Sequence, residues 1–94
     1  MPYVLVRHKV ADYNTWKQGF DENSAARKGH GSRGGQILRN ANDPSEHLVL
    51  FEVDDLEKAR QWLQSEDLRQ AMQQHGVVDK PDMYFLEEIE HLAM

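Results

Sequence analysis

Cysteine is absent from this 94-residue chain, which removes disulfides, thiolate metal sites and cysteine nucleophiles from consideration. Basic side chains are the minority, 11 Lys and Arg against 16 Asp and Glu, for a formal charge of −5. Binding to a phosphate backbone calls for a basic face, so nucleic acid is not an expected partner. Long apolar runs are missing as well: apolar residues make up 39% of the chain, and no run approaches the roughly 20 residues of a membrane-spanning helix. The N-terminal stretch turns charged at Arg7, too early for the apolar region of a signal peptide. A membrane is therefore not an expected partner either, and the expected location is cytoplasmic.

The length fits one domain, spanning residues 1–94. A chain of this size buries only about 60–65% of its unfolded surface, so association with a second copy is a natural supplement to a thin core. Tyr3–Val10 reads as a strand. Asp12 is a good N-cap for a helix running to about Lys28, with Tyr13, Trp16 and Phe20 on one stripe and Asn23, Ser24 and Arg27 continuing it in polar form. Strands follow at Gly34–Asn40 and His47–Val53, joined by a hairpin loop dense in Asn, Asp, Pro and Ser. Asp54 or Asp55 caps a second helix that buries Leu56, Ala59, Trp62 and Leu63; Ser65 caps a further one over Asp67–His75, stopped by Gly76. Met83–Ile89 is the last strand. The order predicts an α+β domain of ferredoxin-like βαββαβ topology, a four-stranded antiparallel sheet with helices on one face.

Strand side chains alternate between faces, and here both columns carry large apolar residues. Val4, Val6, His8 and Val10 form the more uniformly apolar column and are assigned to the helix side. The other face, assigned Leu5, Ile37, Leu48, Leu50 and Phe85, would be an apolar patch larger than monomers usually expose. A homodimer through that sheet face is the simplest expectation, with Arg7, Lys9, Glu52 and Glu87 around its rim.

Several stretches are similar to a known group. Val6-Arg7-His8-Lys9-Val10-Ala11-Asp12-Tyr13, Trp16-Lys17, Phe20-Asp21-Glu22, Arg39-Asn40 through Asp43-Pro44, Ala59-Arg60, Ser65 to Met72, Gly76-Val77 and Phe85-Leu86-Glu87 resemble small bacterial cyclase- or monooxygenase-like proteins. These belong to the dimeric α+β barrel superfamily, with the antibiotic biosynthesis monooxygenase-like proteins. The resemblance covers nearly the whole chain and implies that fold and a dimer. Its members include cofactor-free oxygenases, haem-degrading enzymes and isomerases, so it implies no single reaction. It leads one to expect His at position 23, where this chain has Asn23.

Gly29-His30-Gly31-Ser32-Arg33-Gly34 has the letters of a dinucleotide-binding loop, but that motif needs a strand before it and a helix after it. Here the order is reversed, and a helix stop with a flexible loop is the reading. The five histidines show no metal-ligand spacing, and no metal or cofactor is expected. His8 stands apart because it interrupts an apolar column, where imidazole needs a partner. It is either a satisfied structural histidine or the base of a pocket. In the second reading His8 is the candidate catalytic residue, and Trp16, Phe20, Asn23, Gln36, Phe51 and Tyr84 line a small-molecule site between sheet and helices. The function expected is then a small-molecule-binding homodimer, a cofactor-independent monooxygenase or isomerase acting on a small aromatic or polyketide-like compound. The alternative is a non-catalytic ligand-binding or stress-associated dimer.

Overall fold

The computed structural model describes residues 2–93. Its elements are β1 (Pro2–Lys9), α1 (Tyr13–Glu22), α2 (Ser24–Gly29), β2 (Ser32–Asn40), β3 (Asp43–Val53), α3 (Leu56–Leu63), α4 (Glu66–Gln74) and β4 (Asp82–Glu87). The strands form one antiparallel sheet in the order β2-β3-β1-β4, which is the expected ferredoxin-like arrangement.

The helix starts follow local chemistry. Asp12 accepts from the Thr15 N–H at 3.0 Å and from its hydroxyl at 2.8 Å. Of the two aspartates expected to cap α3 it is Asp55 that does so, accepting from the Glu57 N–H at 2.9 Å. Ser65 Oγ accepts from the Leu68 N–H at 3.3 Å and opens α4. Each cap satisfies one of the donors that a helix N-terminus leaves without an internal partner. Gly76, at φ 89°, ends α4 in the left-handed region.

Beyond shifts of one or two residues at other element ends, three boundaries differ from the sequence reading. The helix expected to run to Lys28 breaks at Asn23, whose N–H reaches back to the carbonyls of Gly19 (3.2 Å) and Phe20 (3.3 Å). Asn and Ser at positions 23 and 24 are weaker helix formers than Ala, Leu or Lys, and the Asn23 side chain makes no capping bond there. The hairpin loop shrinks to Ala41-Asn42, because β3 begins at Asp43. β4 ends at Glu87, leaving Ile89 outside it and 99% exposed.

Val4, Val6 and Val10 of the first strand segment meet Val49, Phe51 and Val53 of β3, with Trp16, Ala59 and Leu63 from the helices closing the core. Residues directly opposite in an antiparallel ladder share a face, and this corrects five face assignments. Ile37 lies opposite Val49, and Phe85 opposite Val4; both pack against the core on the helix side rather than on the open face. Gln36 lies opposite Leu50, and Tyr84 opposite Leu5, so both belong to the open face rather than beside His8. β2 and β4 are edge strands with apolar residues in both columns, and a strand's own alternation does not say which column turns inward. The open face therefore carries Leu5, Leu38, Leu48, Leu50, Tyr84 and Leu86. Glu87, opposite Pro2, also moves off that face. Arg7 and Lys9 are engaged within the chain: Arg7 with Glu46 and Asp79 at 2.9 Å and Asp82 at 2.8 Å, Lys9 with Asp43 at 3.3 Å.

Candidate functional site

Between the inner sheet face and α1, α2, α3 and α4 lies a cavity of about 50 Å³. The β1 column sends Val6 and His8 into its floor, and the β3 column sends Val49 and Phe51. Trp16, Phe20, Asn23 and Arg27 come from the α1–α2 segment; α3 and α4 close the opposite side with Trp62, Leu68, Met72 and His75. Trp16 lies 5.0 Å from Phe20 and 5.3 Å from His8 between ring centroids, and Phe20 is 6.1 Å from Phe51. The interior is thus an aromatic wall interrupted by a few polar groups, the usual build of a small-molecule site.

His8 is 2% exposed and His47, its partner across the β1–β3 ladder, 1%. None of their four ring nitrogens has a hydrogen-bond partner within the chain. Burial pushes the His8 pKa down to about 4; Asp79 opposes the shift, while His47 and Arg7 add to it. At neutral pH His8 is therefore an uncharged ring with one N–H donor and one bare acceptor, both free. His47 lies behind the wall: Trp16 stacks on it at 5.9 Å, and Tyr13 approaches it at 5.1 Å.

The helix break at Asn23 prepares the site. At that helix end the Phe20 carbonyl, already reached by the Asn23 N–H, also accepts from Arg27 Nη1. This bond folds the Arg27 guanidinium over the Phe20 ring, 3.6 Å from its centroid, and so onto the cavity wall. Gly19 lies against the His75 ring, and a Cβ at position 19 would overlap it. Among the described residues no group of three or more potential metal ligands comes together.

No protein-family model matches the chain, and no curated protein matches it in sequence. Solved structures do match. SnoaB from Streptomyces nogalater, a cofactor-independent oxygenase, superposes with a TM-score of 0.74 at 11% identity, over 99% of this chain and 97% of that one. A candidate antibiotic biosynthesis monooxygenase from Bordetella bronchiseptica gives 0.75 at 10% identity, over 95% and 97%. Another from Deinococcus radiodurans gives 0.68 at 15% identity, over 100% and 98%. The chain has the antibiotic biosynthesis monooxygenase-like fold. At such identities the likeness is one of fold.

In this monooxygenase-like fold, His8, Trp16, Phe20, Asn23 and Phe51 of the expected site line the one cavity. Gln36 and Tyr84 do not, for the reason of register given above. Sequence reading passed over His47 and His75, set Arg27 on the polar end of the first helix's stripe without counting it among the site residues, and took Trp62 for core. For His47 a signal existed: it occupies the same alternating column as Val49, Phe51 and Val53, just as His8 does with Val4 and Val6. His75 carried no such signal, since only the close packing of α4 on Gly19 brings it to the cavity. No helix among the described residues is long and apolar enough to cross a membrane.

Proposed function

We propose that the protein is a small-molecule-binding homodimer whose cavity serves cofactor-independent oxygenation or isomerisation of a small aromatic compound. One observation carries the reading: a buried, uncharged His8 with its donor and acceptor unused, set in an aromatic wall. A buried polar group without a partner costs about 1–3 kcal/mol, and a ligand hydroxyl or carbonyl that bonds to it recovers that cost. The similarity to SnoaB, a cofactor-independent oxygenase, supports the same class.

The chemistry asked of His8 is removal of a proton from a ring hydroxyl or an activated carbon. The electron-rich anion left behind then supplies electrons to oxygen, or is reprotonated elsewhere for isomerisation. With a pKa of about 4, His8 alone is a weak base, but an anion forming beside it stabilises the imidazolium. The cavity's 50 Å³ is smaller than the roughly 150 Å³ that admits a benzene ring. A ring therefore enters only as the wall gives. α4 is the wall suited to this, since none of its residues is buried and Met72 is flexible.

Oxygen uptake with a panel of phenolic and quinone-type compounds, alongside ligand-induced thermal shifts, tests the reading. Turnover that His8→Ala abolishes supports it; turnover unchanged in that variant removes His8 from the mechanism. The low His8 pKa also favours a second reading, a binding protein without chemistry, which predicts thermal shifts and no uptake.

The dimer part of the proposal rests on the open sheet face. Leu38 is 46% exposed and Tyr84 52%, beside Leu5, Leu48, Leu50 and Leu86. A second copy laid sheet to sheet would cover them.

A further inference from the structure

The cavity's only strong charge is Arg27, and its surroundings are one-sided. The chain has 16 acidic side chains, yet none lines this cavity. Nor does any line the groove on the Arg27 side, which shares Phe20, Arg27 and Phe51 with the cavity and adds Lys17; a second adjoining groove carries Asp67, and Arg27 does not line it. Arg27 is half-buried. Its guanidinium donates to the Phe20 carbonyl and rests on the Phe20 ring, and among the described residues it forms no ion pair with a carboxylate. Asp21, the acidic group felt most at Arg27, is itself bound by Lys17 Nζ at 2.6 and 2.7 Å.

A guanidinium stays charged in a protein and presents five N–H donors. Partial burial without a counter-ion is costly, and burial lowers the Arg27 pKa from its ordinary value. The ring beneath the cation offsets part of that cost, but Arg27 lines the cavity with no carboxylate among the cavity's residues to meet its other donors. Asn23, one helical turn earlier, also lines the cavity and makes no capping bond with its side chain. Two polar groups with donors unused within the chain thus share the helix end of a space whose other polar lining is His8 and His75.

We propose that the ligand of this cavity is a compact aromatic anion, its ring among Trp16, Phe20 and Phe51 and its carboxylate or phenolate oxygen on Arg27. The inference rests on the cavity being a ligand site and adds the sign of the ligand's charge and the residue that selects it. Because Arg27 is half-exposed, the anionic head stays near water while the ring is buried, so the charge itself need not be fully desolvated.

The experiment is a titration of the intact protein with benzoate and with benzamide, its neutral counterpart of the same shape. Binding is followed on the indole N–H resonances of Trp16 and Trp62, which both line the cavity. Benzoate should bind at least about tenfold tighter than benzamide, in line with a hydrogen bond to a charged group. Arg27→Gln should remove that preference while benzamide binding changes little, and Arg27→Lys, which keeps the charge, should retain part of it. Equal affinity for the two probes in the wild-type protein overturns the anion inference and leaves the ligand site standing. A benzoate preference that survives in Arg27→Gln, including one in which both probes weaken by the same factor, overturns it as well. If neither these probes nor neutral phenol and indole perturb either tryptophan, both the site and the inference fall.

Discussion

His8 and His47 face each other across the β1–β3 ladder, both essentially inaccessible, with no partner within the chain for any of their ring nitrogens. Two unpartnered imidazoles in an apolar column are a costly arrangement for folding, and for His8 the cost depends on pH. His8 has an unfolded pKa of 6.5 and a folded pKa of about 4. Between these values the unfolded chain holds a proton that the folded chain does not. Stability should therefore be full above pH 6.5 and fall as the pH drops toward 4, by up to roughly 3 kcal/mol from His8. The depressed carboxylates Asp12, Asp43, Asp79 and Glu66 lose their contribution at lower pH, as it falls from the usual carboxylate range through their depressed folded values. Calorimetric melting at pH 7 and pH 5 checks this, with His8→Leu expected to flatten the difference. An undiminished slope in that variant would assign the acid sensitivity elsewhere.

The same pair predicts a stability gain from losing polarity. Replacing a buried, unpartnered polar side chain with an apolar one of similar size removes a desolvation cost. His47→Leu should stabilise the fold by about 1 kcal/mol, measured as a shift of the urea midpoint. His8→Leu should do the same while ending ligand binding, the trade expected where a site holds unsatisfied groups for a ligand. Destabilisation by more than about 1 kcal/mol in both would mean that the nitrogens are satisfied in solution.

Much of this was legible in the residues. Element order, two of the helix caps and the stop at Gly76 follow from local chemistry that acts within a few residues. The β1 column was read correctly because Val4, Val6 and Val10 are uniform and mark the inward side. The phases of β2 and β4 were not legible: Gln36 against Ile37, and Tyr84 against Phe85, exchange sides with a one-residue change of register, which only pairing to a neighbour decides. The site shows the same division. His8, Trp16 and Phe20 lie on elements whose pattern announces them, whereas Arg27 reaches the cavity through a helix break whose carbonyl it captures.

Two glycines with opposite surroundings offer a packing test. At Gly35, beside the irregular register of β2, a Cβ would run into the Leu50 backbone carbonyl. Backbone yields less readily than a side chain, so Gly35→Ala should cost about 1–3 kcal/mol. At Gly29, the last residue of α2, nothing lies within 4 Å of an added Cβ. Gly29→Ala should be neutral or stabilise by up to about 1 kcal/mol through the unfolded chain. Denaturant melts of the two variants in parallel check the contrast; equal losses would contradict the close approach at Gly35.

The corrected sheet faces separate a dimer variant from a core variant. Leu50→Glu places a charge in the middle of the open face, where Leu50 lies opposite both Leu5 and Gln36. In the proposed dimer that charge would be buried in the sheet-to-sheet interface, a costly placement. Light scattering at micromolar concentration should then show a dimer for the wild type and a monomer for the variant. Phe85→Ala acts on the other side, where Phe85 packs against the core and lies 4.8 Å from the Arg60 guanidinium. It should lower stability by about 3 kcal/mol and leave the mass unchanged wherever the protein remains folded. A wild-type monomer would end the dimer proposal, and a dimer surviving Leu50→Glu would move the interface off this face. Reversal of the two phenotypes would mean that Phe85, and not Leu50, meets the second copy.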